Sequence, residues 1–282
     1  MLTTRRHMRT AAALLTLVLV TLLTGPPVAS AAPVNNRIEN ATVIGSANYN
    51  NSVDTSGSTA AASDPKDCFN SGSVWYRYTA ASTDRLVVDT VGNRYGNGTA
   101  LAVYTGRPGS LSKVGGCSVF DWDDGSVVYF NAVAGTTYYV MVGECCSNGR
   151  AGGGPLALHV RTAPKVTVRN SDSGTVSKLS GDARVGGMIQ CDRTLTGFMF
   201  AVLSQRVGES SLARGFGGEE EEDVFPCSTV RSHWSMVIFA EGPVAFVEGD
   251  ASLRLRGSFC RAEAPWRCGE FDRTRVVHLT YR

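Results

Sequence analysis

The chain has no excess of either charge. Its 27 Lys and Arg face 25 Asp and Glu, and setting aside the three arginines of the leader described below leaves a balance of −1, 24 basic against 25 acidic. Proteins that neutralise phosphates carry a basic stripe or patch, so composition excludes nucleic acid as a partner and argues against attraction to a membrane surface. Histidine is scarce. Beyond the leader there are only His159 and His278, within strand-like sequence, and His233, just before Trp234. Nucleophilic catalysis needs a nucleophile beside a base that a third group orients, and no motif supplies one: there is no G-x-S-x-G elbow, no H-E-x-x-H and no glycine-rich phosphate loop. The expectation is a protein that is not an enzyme and carries no cofactor. No segment after the leader is apolar for the roughly 20 residues that span a bilayer, and no stretch of eleven residues keeps a helical period.

An export leader comes first among the features that are present. Arg5, Arg6 and Arg9 open it, an apolar run of thirteen residues follows at 11–23, and Ala29-Ser30-Ala31 supplies a small-residue cleavage site. Residues 1–31 therefore read as a signal peptide, the mature chain starts near Ala32, and the expected location is secreted, with no membrane span once the signal is removed. Arg5-Arg6 fits either Sec or twin-arginine export, with Met8 standing where the second motif usually has Phe or Leu.

All eight cysteines lie beyond that leader, and they split four and four around Ala163-Pro164. In an oxidising compartment even sets of cysteine read as disulfides, whereas zinc normally needs C-x-x-C knuckles, which are absent. In the second half the nearest candidates across a turn or between sheets pair Cys191 with Cys227 and Cys260 with Cys268. In the chain-entropy model these loops contribute about 4 and about 3 kcal/mol. In the first half Cys145 and Cys146 are neighbours that point to opposite faces of an extended chain, so they are expected to take different partners from Cys68 and Cys117, in an order the sequence leaves open, a bond between the adjacent pair being the alternative.

The fold class is all-β. Segments 74–79, 85–90, 101–105, 126–130, 137–142 and 156–160 are rich in β-branched and aromatic residues between Gly, Asn and Ser clusters, which describes a sandwich or jelly roll. Residues 163–165 read as a linker because Pro164 cannot donate to a ladder. Strand patterns resume at Val166 and continue over 183–191, 194–205, 232–239, 251–260 and 275–281, with turns expected at Gly186-Gly187, Gly217-Gly218 and Gly249-Asp250. Two β-sandwich domains, 35–162 and 166–282, each stapled by disulfides, are the expected organisation.

Asn40-Ala41-Thr42-Val43-Ile44, then SVWYRYTA (73–80), LAVYTG (101–106) and FNAVAGTTYYVMV (130–142), make residues 35–162 resemble the bacterial pre-peptidase C-terminal domain. That resemblance implies a jelly-roll-like sandwich appended to secreted proteins, often peptidases, where it is non-catalytic and serves secretion, localisation or binding. No peptidase sequence precedes the module here. Cys191, Gln205, Cys227 followed by Trp234, and the Cys260/Cys268 pair make residues 165–282 resemble an immunoglobulin-like family of unassigned function in secreted actinobacterial proteins. Trp234 follows the second cysteine, whereas in an antibody domain the tryptophan lies between the two.

Tyr95, Phe120 and Trp122 fall in loop-like sequence and are the candidate ligand-binding rings, suited to stacking on sugar faces, the alternative being that they cap the sandwich core. The acidic run 219–223 reads as a solvated hairpin loop. Function is expected to be binding or adhesion to polysaccharide, cell envelope or a secreted protein, the alternative being an accessory or inhibitory factor for a secreted hydrolase. Asp121, Asp123 and Asp124 before Gly125 are candidate calcium ligands, although Ala132 stands where a full calcium loop needs Glu. If they hold calcium, millimolar calcium raises the melting temperature and a chelator reverses the rise; a melting temperature indifferent to both would remove the site.

Overall fold

A computed structural model describes residues 31–66, 72–92, 98–120, 125–144, 153–218 and 224–282, with the side chains of 117–120 and 144 left aside. Apart from one 3-10 turn, Ile38–Asn40, its regular structure is β. The first nine strands are β1 (Thr42–Ile44), β2 (Asn48–Asp54), β3 (Ser73–Thr79), β4 (Asp84–Asp89), β5 (Thr99–Arg107), β6 (Ser110–Phe120), β7 (Val127–Ala132), β8 (Thr137–Glu144) and β9 (Pro155–Thr162). They form two sheets, β1-β3-β8-β5-β6 and β2-β9-β4-β7. The apolar residues at every second position of β3, β4, β5, β7, β8 and β9 meet in one buried cluster that includes Tyr76, Leu86, Leu101, Phe130, Val140 and Leu158. Strand β3 is buried almost throughout because its other face is covered as well: Trp75 packs with Ile38, Ala102 and Met141, and Asn35 brackets it with two hydrogen bonds to the Trp75 backbone.

Nine more strands follow: β10 (Val166–Asn170), β11 (Ser173–Val176), β12 (Ala183–Cys191), β13 (Leu195–Val207), β14 (Ser211–Gly217), β15 (Phe225–Cys227), β16 (Ser232–Glu241), β17 (Gly249–Arg261) and β18 (Ala264–Tyr281). Their pairing runs β12-β11-β18-β17-β13-β14-β16 and closes by β16 pairing back onto β12, so seven strands surround one core. Strands β10 and β15 flank this barrel-like sheet, on β12 and β13. Met199, Leu203, Ile238, Leu255, Phe259 and Leu279 fill it. The loop before β17 inserts Phe246, and buried Gln205 holds that loop by accepting from the Val247 N–H and donating to its carbonyl, both at 2.9 Å. Cys191–Cys227 and Cys260–Cys268 are bonded, as their spacing predicts. The four cysteines of the first half fall outside the described side chains.

Gly186-Gly187 is a correction to the sequence reading. The expected turn does not exist, and β12 runs straight through both residues, which pair with Ser235 and Trp234. A Cβ on Gly187 would lie 2.0 Å from the Arg169 carbonyl oxygen, and one on Gly186 2.8 Å from that of Trp234. Glycine here permits close approach of neighbouring backbone rather than chain reversal.

No strand pairing between described residues crosses 163–165, yet the two groups of strands are docked. On the outer face of β4, β7 and β9, the end of the β17–β18 hairpin lands on Asp89, Tyr129 and Arg85. Asp89 has no solvent exposure, and its carboxylate takes the Nδ1 of His159 at 2.9 Å and the Nε and Nη2 of Arg267 at 3.1 and 3.0 Å. The Tyr129 hydroxyl donates to the Trp266 carbonyl at 2.5 Å and accepts the Cys268 N–H at 2.6 Å. Burial, first among the causes, raises the pKa of that phenol. Lys165 reaches Asp84 at 2.6 Å, and this hydrogen bond is the main reason the Asp84 carboxyl titrates low. A buried carboxylate is tolerable only when paired, so removing one partner costs about 3–5 kcal/mol. Arg267→Ala should therefore lower the unfolding free energy from urea denaturation by that order, seen as a lower midpoint, and adding Asp89→Asn should restore part of it. A midpoint unmoved by Arg267→Ala would show that water reaches Asp89.

Candidate functional site

The residues singled out by sequence for ligand or cation contact do not meet in the described structure. Tyr95, Asp121, Trp122, Asp123 and Asp124 lie outside the described residues, and of Phe120 only the backbone is described, at the end of β6. Among the described residues no group of three or more His, Cys, Asp or Glu side chains is placed to hold a metal ion. His159 and His278 each bond an aspartate through Nδ1, to Asp89 at 2.9 Å and Asp250 at 2.8 Å. Neither imidazole has a second side-chain hydrogen bond to a described hydroxyl or thiol, so neither is aligned with a nucleophile there.

What the fold does assemble is a groove of about 470 Å³ on the outer face of β13, β17 and β18, closed on one side by Arg85 of β4. Its floor follows from strand parity. Met199, Ala201 and Leu203 point into the barrel, so Phe198 and Phe200 point out, and Phe198 keeps 53% of its surface exposed. Across the sheet Phe198 pairs with Ser258 and Phe200 with Arg256; Ser258 in turn pairs with Glu270, and Arg256 with Asp272. One wall of the groove is therefore aromatic and the opposite wall ionic.

The ionic wall is fixed by several bonds. Arg254 forks onto Asp272 with Nε at 3.0 Å and Nη2 at 2.7 Å, and Arg256 adds a contact to the same carboxylate at 3.3 Å. Hydrogen bonding from Arg254, the largest cause, holds the Asp272 carboxyl below its ordinary range, so it is an acceptor at neutral pH. Arg256 also lies over the Phe200 ring at 5.5 Å, which occupies one face of that ring and leaves Phe198 as the open one. At the junction Arg85 bonds Glu270 at 2.7 Å while its guanidinium sits 4.9 Å above the Tyr129 ring. Such an arrangement can stack an apolar ring face while offering donors and acceptors already held in place. Nothing in it activates a nucleophile.

Sequence reasoning passed over Phe198 and Phe200. They sit in the run Phe198-Met199-Phe200-Ala201-Val202-Leu203, apolar at six successive positions inside the segment 194–205, which reads as an alternating strand while the apolar residues at its outward positions go unmarked. The available signal was that an antiparallel strand with one face on the core is expected to be polar on the other. Phe198 and Phe200 break that rule.

The chain matches no protein-family model. No curated protein matches it. Among solved structures it aligns with a GH2 β-galacturonidase from Eisenbergiella tayi bound to galacturonate, at 10% identity and TM-score 0.26 over 73% of this chain and 36% of that one. It also aligns with truncated AlyQ with CBM32 and alginate lyase domains, at 9% identity and TM-score 0.26 over 88% and 87%. A third match is the exo-chitosanase CsxA from Amycolatopsis orientalis, at 10% identity and TM-score 0.20 over 71% and 25%. The chain spans about a third of the length of the first of these. Likeness at this level carries no argument about fold, ligand or activity.

Proposed function

We propose that the protein is a secreted, non-catalytic binding module that contacts polysaccharide or cell envelope through the groove of Phe198, Phe200, Arg85, Arg256, Glu270 and Asp272. The observation that carries this reading is the exposed Phe198 ring facing a prepaired wall of guanidinium and carboxylate groups. Apolar ring faces of a sugar rest on the aromatic side, and its hydroxyls bond the fixed ionic side without reorganising it. Groups already held in place cost little to order on binding, and that favours affinity in an open groove.

Two further features support the reading. The leader and the disulfides Cys191–Cys227 and Cys260–Cys268 agree with an exported protein. The resemblance of residues 35–162 to the pre-peptidase C-terminal domain, non-catalytic in that family, points the same way.

Co-sedimentation of the mature protein with insoluble polysaccharide and with purified cell wall tests the proposal. Retention by at least one of them is expected. Phe198→Ala should weaken it about tenfold, the range for an aromatic anchor, while the melting temperature stays near that of the parent. Equal retention of Phe198→Ala would remove the groove from the interaction. Failure to sediment, together with stoichiometric capture of a hydrolase from culture supernatant, would replace the proposal with the accessory-factor reading.

A further inference from the structure

The docked hairpin end has a second cleft on its other side. Successive residues of a strand point to opposite faces, so Arg267 and Glu270, three apart on β18, face away from each other. Glu270 lines the aromatic groove, whereas Arg267 lines a cleft of about 300 Å³ with Arg161 of β9, Arg193 from the β12–β13 turn and Arg261 at the end of β17. The linker closes it through Pro164, and Asn48 of β2 adds an amide. Four of its eight lining residues are arginines and none is acidic.

Each guanidinium is already oriented. Arg193 presents Nε and Nη2 to Asp192 at 3.0 and 2.8 Å, and Arg267 presents the same edge to Asp89. Arg261 does likewise with Glu263, its Nε at 2.8 Å. All three therefore spend one edge on a carboxylate and keep the Nη1 hydrogens without a protein acceptor among the described residues. None of the three carboxylates lines the cleft. Arg161 has no carboxylate of its own. Its Nη1 donates to the Tyr49 and Val160 carbonyls at 2.5 and 2.8 Å, and its Nη2 to the Asn50 side chain. Four guanidiniums against three carboxylates leave one positive charge uncompensated in the cluster. Neighbouring Lys165 is matched by Asp84 and adds none. Burial first, then repulsion from Arg267, makes the Arg161 guanidinium easier to deprotonate than usual. A packing role accounts for each ion pair separately, but not for four like charges converging on one cleft with their acids set outside it. Like charges brought together in a partly desolvated place destabilise the empty state, and an anion offsets that.

We infer that this cleft is an oxyanion site that takes a carboxylate or phosphate group, free or borne on a polymer, between Arg161, Arg193, Arg261 and Arg267. Planar guanidiniums with free N–H donors match the oxygens of either group and hold them by charge-assisted hydrogen bonds. The aromatic groove lies on the opposite face of β18, so this site stands whether or not that groove binds sugar.

Isothermal titration of the mature protein at low ionic strength, with inorganic phosphate and with a short oligogalacturonate, tests the inference, a neutral oligosaccharide of the same length being the control. At least one anion should bind while the neutral chain does not compete, and affinity should fall as salt rises. Arg161→Gln and Arg261→Gln should each weaken binding about fivefold or more. The Arg261 side chain is 36% exposed, so its replacement decides the matter even if Arg161→Gln fails to fold. Binding of oligogalacturonate alone would assign a polymer-borne carboxylate, binding of phosphate alone would assign a phosphate source, and equal binding would support the shared oxyanion chemistry. No heat or shift with either anion at millimolar concentration, or binding unchanged in a folded Arg261→Gln, would overturn the inference.

Discussion

One carboxylate, with no exposure to water, governs the arrangement of the two halves. Asp89 is on the outer face of a sheet in the first half, where a charge would ordinarily be solvated, and it has no exposure with the second half lying on it. His159 from the next strand and Arg267 from the distant hairpin complete its hydrogen bonding. While the halves are docked, leaving that charge unpaired costs several kcal/mol, so docking is tolerated only in the register that brings Arg267 onto it. Tyr129 adds direction. Its hydroxyl both donates to and accepts from the backbone of residues 266 and 268, which fixes the hairpin in register as well as in contact.

Both clefts follow from that clamp. The hairpin end is itself cross-linked by the Cys260–Cys268 bond between residues that face each other across β17 and β18. Once seated, one of its faces supplies Glu270 and Asp272 beside Phe198, and the other supplies Arg267 beside Arg161. Arg85 and Arg161 come from the first half, so neither cleft is complete on one half alone. The fold thus acquires shared surfaces through a junction whose described contacts include the directional polar bonds of Asp89, Tyr129, Arg85 and Lys165.

Much of this was legible from residue patterns. Alternation over 183–191 and 232–239 marked β12 and β16 to within two residues at either end, because those strands have one face on the core and one in water. Spacing sufficed for Cys191–Cys227 and Cys260–Cys268. Strands β6, β11 and β14 were not marked, being rich in Ser, Gly and Lys or short and small, with few apolar positions to set a period. The barrel-like closure was invisible for another reason: it depends on β16 meeting β12, a pairing of distant segments that leaves no local trace. Gly186-Gly187 misled because glycine serves chain reversal and backbone approach alike. Asp89 reads as the polar end of a strand, and only tertiary contact makes it a clamp. The rings and carboxylates marked at Tyr95, Phe120 and 121–124 fall outside the described side chains.

Residual dipolar couplings from backbone amides of the two halves, recorded on the intact protein at neutral pH, report directly on whether that clamp holds. Couplings from 35–162 and from 166–282 that fit one common alignment tensor are the expected result. Two tensors of clearly different magnitude would mean that the halves reorient independently, that Asp89 is hydrated part of the time, and that neither shared cleft persists.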